Sequence, residues 1–135
     1  MELRDFLNSL EADGEMVRVK KEVSAEYEIA NVLNSLGEKP TLFERVRGSQ
    51  FPVFGGITST RELIARGLGT TKEGLLAKLV ESLRRPVPPA LIGKAPCQEV
   101  VERNPDLAKL PMLTHLPGDG GRYAFVEWRR WLAQQ

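Results

Sequence analysis

Leu3, Phe6, Leu7 and Leu10 recur at three- and four-residue steps with polar residues between them. That spacing predicts an amphipathic opening helix, which Asp13-Gly14 ends. In residues 16–23, Val17, Arg18, Val19 and Lys20 alternate apolar and charged side chains, as a half-exposed strand does. Ser24 then reads as the N-cap of a second helix, whose apolar face is Tyr27, Ile29, Ala30, Leu33 and Leu36 and whose stop is Gly37. Residues 41–46 and 52–55 read as two strands of a hairpin, with Arg47-Gly48-Ser49 as the turn.

Residues 58–60 contain two threonines, Thr58 and Thr60, able to cap a short helix holding Leu63, Ile64 and Leu68. Thr70 or Thr71 opens a further helix through Leu75, Leu76, Leu79, Val80 and Leu83, and Pro86, Pro88 and Pro89 forbid its continuation. A proline-punctuated connection follows to about Pro96, then a short strand over residues 98–102. Asn104-Pro105-Asp106-Leu107 predicts a turn feeding a short helix toward Leu110, closed by Pro111. Residues 123–132 space Phe125, Val126, Trp128, Trp131 and Leu132 as the apolar face of a terminal helix. The pattern as a whole predicts an α/β (α+β) single domain, a small mixed β-sheet covered by helices.

A chain of 135 residues is long enough for one core that removes roughly two thirds of the unfolded surface from water. Nineteen Lys and Arg against 18 Asp and Glu leave a formal charge of +1, so no whole-chain field attracts nucleic acid or anionic lipid. The basic pairs Lys20-Lys21, Arg84-Arg85 and Arg129-Arg130 are expected to be solvated surface. Cys97 is the single cysteine, which rules out an intramolecular disulfide and fits a reducing compartment. Glu2, Arg4 and Asp5 follow Met1 where a signal peptide would be apolar, and no run approaches the roughly 20 apolar residues of a membrane span. The expectation is a cytoplasmic protein with no membrane span and no nucleic-acid partner.

Candidate chemistry is sparse. His115, the single histidine, stands four residues before Asp119, a spacing that admits a base and an orienting carboxylate, but a hydrogen-bonded structural histidine is the expected role. Cys97 and His115 are the one thiol and imidazole available for nucleophilic catalysis, and the plainer expectation is a small buried cysteine. One Cys and one His fall short of a closed zinc site, and the carboxylates are scattered. Gly118-Asp119-Gly120-Gly121 resembles an anion-binding loop in composition, yet no Gly-Lys-Ser/Thr follows and no G-x-G-x-x-G occurs, so a tight turn is the expected role.

Three segments together resemble the N-terminal region of UbiD-like decarboxylases. They are Leu3-Arg4-Asp5-Phe6-Leu7 with Leu10-Glu11-Ala12-Asp13-Gly14-Glu15; Leu42-Phe43-Glu44-Arg45-Val46-Arg47-Gly48-Ser49 with Phe51-Pro52-Val53 and Ser59-Thr60-Arg61-Glu62; and Ala95-Pro96-Cys97-Gln98-Glu99-Val100-Val101 with Asp106-Leu107-Ala108-Lys109-Leu110-Pro111 and Asp119-Gly120-Gly121. The resemblance implies a small α/β domain that precedes a split-barrel domain holding prenylated FMN, a divalent metal and a catalytic Glu-Arg-Glu arrangement. Those positions lie downstream of the matched segments, so the resemblance assigns no catalytic, cofactor-binding or metal residue to any number in this chain.

The division expected is residues 1–123 as a UbiD-like N-terminal domain and 124–135 as a divergent helical tail. The function implied is the scaffold domain of a carboxy-lyase acting on unsaturated or aromatic acids such as polyprenyl-hydroxybenzoate, truncated or split before the flavin-binding domain and inactive alone. Its partner would be a downstream catalytic domain. The alternative is a stand-alone interaction or self-association module, with Phe125, Trp128, Trp131 and Leu132 as its interface.

Overall fold

The computed structural model describes residues 2–37, 39–106 and 109–119. Its elements run α1 (Leu3–Ala12), β1 (Val17–Val19), α2 (Glu28–Leu36), β2 (Thr41–Phe43), β3 (Val53–Gly55), α3 (Arg61–Gly67) and α4 (Leu75–Arg84), then one 3-10 turn at Pro96–Gln98. The sheet is mixed, in the order β1-β2-β3. β1 and β2 are parallel, pairing Val17 with Thr41 and Val19 with Phe43, and α2 is the crossover between them. β2 and β3 are antiparallel, pairing Thr41 with Gly55 and Phe43 with Val53. The fold class predicted from the pattern is the one observed.

Among the described residues two clusters form the core. Between the sheet and α2, the buried side chains Val23, Ile29, Phe43 and Val46 are covered by Val19, Val32, Leu33 and, from far along the chain, Leu113. Between α1 and α3, Phe6, Leu10 and Leu63 pack with Met16 and Ile57. The apolar spacing that predicted α1 therefore marks its buried face. Among the described residues Thr41 is the buried polar side chain, and its hydroxyl donates to the carbonyl of Lys39 at 3.0 Å.

Several boundaries differ from expectation. The first strand stops at Val19, and pairing resumes at a single Val23–Val46 bridge with one more residue on the first side than on the second. Lys20, Lys21 and Glu22 occupy that bowed stretch, exposed, because three successive charged side chains cannot alternate into a core. Ser24 does not cap α2. Its hydroxyl accepts from the amide of Glu26 at 3.1 Å, its own amide donates to the Glu28 carboxylate at 2.7 Å, and the helix begins three residues later than expected, with Tyr27 at the cap position. Thr60 does cap α3, accepting from the Leu63 amide at 3.1 Å. Thr71 accepts from the Gly74 amide at 3.2 Å, which forms a turn ahead of α4 instead of its first turn. Residues 98–102 form no strand: Gln98 ends the 3-10 turn and residues 99–102 follow it as exposed chain.

The fourth helix departs most. It is helical as its apolar period predicts, yet no residue of it is buried. Its stripe faces outward, whereas α1, α2 and α3 each bury theirs.

Candidate functional site

The segment 109–119, which carries every histidine-centred candidate, is not a free arm. Thr114 bridges Glu26 in parallel, its amide donates to the Ala25 carbonyl at 3.1 Å, and its carbonyl accepts from the Tyr27 amide at 2.9 Å. Leu113 drops into the sheet-side core, and the Lys109 carbonyl accepts from the Ser49 hydroxyl at 3.0 Å. Tyr27, where this segment docks, has φ +62°. A bulky side chain in that region costs about 1–3 kcal/mol and persists only where neighbours impose it. Here the imposing contacts are the Thr114 bond on one side and, on the other, the bond from the Asn31 amide to the Tyr27 carbonyl at 2.9 Å.

His115 itself is exposed. Its bond to Asp119 is made by the backbone amide, which donates to the carboxylate at 2.9 Å. The carboxylate thus holds the main chain of a turn, and the Asp119 amide closes that turn by donating to the Leu116 carbonyl at 3.0 Å. The glycine-rich run therefore begins as the tight turn expected, with Gly120 and Gly121 outside the described residues. Cys97 is an exposed free thiol within the 3-10 turn, a correction to the buried cysteine expected from the sequence. Phe125, Trp128, Trp131 and Leu132, the interface residues expected from sequence, lie outside the described residues, as does Arg129-Arg130.

A cleft of about 490 Å³ lies between the end of α1 and α3 and is lined by Gly14, Glu15, Lys39, Thr60, Glu62 and Arg66 among others. Its arginine is already engaged. Arg66 donates to Glu15 at 3.0 Å, to the Ser9 hydroxyl at 3.0 Å and to Asp13. The Thr60 hydroxyl accepts the cap bond from Leu63. Nearby, Lys72 pairs with Glu62, and that hydrogen bond holds the Glu62 carboxyl below the usual carboxylate range and the ammonium above its own. On the other side of α1, Arg18 donates to both oxygens of Glu11, at 2.6 and 2.8 Å, and to Glu44 at 2.8 Å. These bonds likewise lower Glu11 and raise Arg18.

A flavin phosphate needs unspent cations or a row of free amides, and a divalent metal needs converging carboxylates or imidazoles. The cleft offers an arginine already neutralised by two carboxylates, and one lysine, Lys39, with no second free cation and no row of free amides beside it among the described residues. Among the described residues no group of three or more His, Cys, Asp or Glu is placed to hold a metal. These residues do not fit either group. What they form is a set of charged clips, α1 to β1 through Arg18 and α1 to α3 through Arg66, that fix the scaffold's shape.

Residues 7–83 match the model of the 3-octaprenyl-4-hydroxybenzoate carboxy-lyase N-terminal domain, and residues 90–128 match that of the same enzymes' Rift-related domain. The anhydromevalonate phosphate decarboxylase of Methanosarcina mazei is 34% identical over 127 residues, which are 91% of this chain and 28% of that relative. Among solved structures, the UbiD-class enzyme HmfF of Pelotomaculum thermopropionicum, in complex with FMN, superposes with a TM-score of 0.76 at 39% identity over 84% of this chain and 27% of its own. An evolved dimeric form of that enzyme is in complex with prFMN. The closed form of Sedimentibacter hydroxybenzoicus vanillic acid decarboxylase superposes with a TM-score of 0.71 at 27% identity, over 85% of this chain and 27% of its own. The chain thus spans between a quarter and a third of the length of the proteins it matches.

Proposed function

Because the chain belongs to the UbiD carboxy-lyase family, we propose that it serves as the N-terminal scaffold domain of a prenylated-FMN-dependent decarboxylase of unsaturated or aromatic acids, polyprenyl-hydroxybenzoate among them. The chemistry belongs to the flavin-bearing, Rift-related domain, of which this chain carries residues 90–128. The observation that carries this reading is the ordered match of an N-terminal model to residues 7–83 and a Rift-related model to 90–128, in a chain that spans 28% of a decarboxylase relative. The engaged state of Arg66 and the structural use of Asp119 support assigning catalysis elsewhere.

In this reading the isolated chain holds no flavin or metal and does not decarboxylate, and its partner is the flavin-bearing domain, not a nucleic acid. In it Phe125, Trp128, Trp131 and Leu132 contribute to the partner interface. Its setting is the cytoplasm, a placement supported by an exposed free thiol at Cys97 and by the finding that no described helix is long and apolar enough to cross a membrane.

The test is a chimera in which this chain replaces the matched N-terminal part of HmfF. The chimera is expected to purify with stoichiometric FMN, and the 135-residue chain alone to purify colourless and release no CO2 from hydroxybenzoic or acrylic acids. Flavin binding or CO2 release by the chain alone, or a chimera that folds without FMN, would overturn the reading.

A further inference from the structure

We infer that the outward stripe of α4 is the face on which this chain docks the flavin-bearing, Rift-related domain of a UbiD-class enzyme. The inference rests on the reading above and adds the surface through which it operates. Leu76, Leu79, Val80 and Leu83 lie three and four residues apart, on one side of the helix. They are 72, 46, 38 and 83% exposed, and Val87, just beyond the helix, is 90% exposed. A periodic apolar helix face left in water is the signature of a missing partner, since burying each such side chain is worth about 1.5–3 kcal/mol.

Two observations name the occupant. The N-terminal family model ends at residue 83, the last position of the stripe, and the Rift-related model begins at 90, so α4 lies at the seam between the two units. The matched relatives carry more than two thirds of their length outside the aligned part, a body large enough to cover a ten-residue helix. Charge argues against a second copy. The helix and its end carry Lys78, Arg84 and Arg85 against Glu81, and Glu81 is already paired with Arg85 at 3.1 Å. Two such faces would meet with like sign, whereas an apolar patch rimmed by carboxylates is complementary.

The experiment uses Leu79→Cys in a Cys97→Ser background, because Cys97 is exposed and would label first. Maleimide modification of residue 79 is followed by peptide mass spectrometry in the free chain and in the FMN-containing HmfF chimera. Expected is rapid labelling of a monomeric free chain and labelling slowed about tenfold or more in the chimera, as for a site that reacts only on local opening. A second variant, Leu76→Lys with Leu83→Lys, is expected to leave the melting temperature of the free chain unchanged and to lower that of the chimera. Equal labelling in a chimera that retains FMN overturns the α4 assignment and leaves the proposed function standing, whereas a chimera without FMN overturns the proposed function itself. Protection already present in the free chain also overturns the assignment: if monomeric, its own tail is the cover, and if dimeric, a second copy is.

Discussion

Gly56 closes β3 with φ +73°, and a Cβ built there would stand 2.6 Å from the carbonyl oxygen of Lys39 and 3.2 Å from its carbon. Gly48 has nearly the same dihedral, +74°, with nothing within 4 Å of the same point. The two positions separate two costs of Gly→Ala. At Gly48 the left-handed backbone alone is charged about 1–2 kcal/mol, part of which is offset by roughly 0.4–1 kcal/mol of lost unfolded-state entropy. At Gly56 the same balance holds, and the methyl must also displace main chain, adding roughly 1–3 kcal/mol as overpacking does. The displaced main chain matters: the neighbouring Pro40 carbonyl accepts from the Val17 amide at 2.8 Å and sets the start of the β1–β2 pairing. Urea melts of both variants, with the slope checked for constancy, give the difference directly. Gly56→Ala is expected to exceed Gly48→Ala by about 1–3 kcal/mol, or roughly 4–8 °C in melting temperature per kcal/mol for a domain of this size. Equal losses at the two sites would refute the close approach of Gly56 to Lys39.

Other outcomes follow from the same packing. Phe43→Ala, at a fully buried position of the sheet-side core, is expected to cost about 3–5 kcal/mol in a thermal or urea melt. Thr60→Ala removes the α3 cap and is expected to cost about 1 kcal/mol, with Thr60→Ser recovering most of it. Because Arg18 holds the Glu11 carboxyl below its ordinary range, that pair contributes stability above the unfolded carboxylate range and loses it as pH falls through the lowered value. The acid limb of a stability-versus-pH curve is therefore expected to be shallower in Glu11→Gln, by a small amount that added salt erases, since the pair is solvent-exposed. Cys97 is expected to react with a maleimide stoichiometrically in the native chain, without denaturant.

The chain announces the parts of its fold that depend on neighbours in sequence. The Leu3-Phe6-Leu7-Leu10 period and the Thr60 cap are local signals that appear where expected, and the two hairpin strands pair as expected although the first ends at Phe43 and not at Val46. The reading fails where a local signal competes with a nearby alternative. Ser24 looks like a helix cap but uses its hydroxyl one turn early, and α2 then starts from the strained Tyr27, a residue no propensity would place at φ +62°. It fails again where the partner is distant: nothing near Ala25 or Thr114 signals that they pair. The stripe of α4 is legible as a helix, while its exposure is not, because periodicity states which face is apolar and not what covers it. For the candidate site, the His115–Asp119 spacing placed two residues that do meet, through the His115 backbone amide, a contact that spacing alone does not specify.

The return of Thr114 to Ala25 and Tyr27 has a consequence for synthesis on the ribosome. Leu113, which completes the sheet-side core, follows Val23 by some ninety residues, so the first half of the domain is made long before its lid. At translation rates of about 5–20 residues per second, that interval is on the order of 5–20 s, far longer than a helix or hairpin needs to form. During it Val23, Phe43 and Val46 have α2 on one side and no Leu113 on the other, and Tyr27 has no Thr114 carbonyl to hold its left-handed backbone. A nascent chain therefore passes through a stage with an open core and a relaxed second-helix start, and the arrival of residues 113 and 114 is the event that shuts both at once.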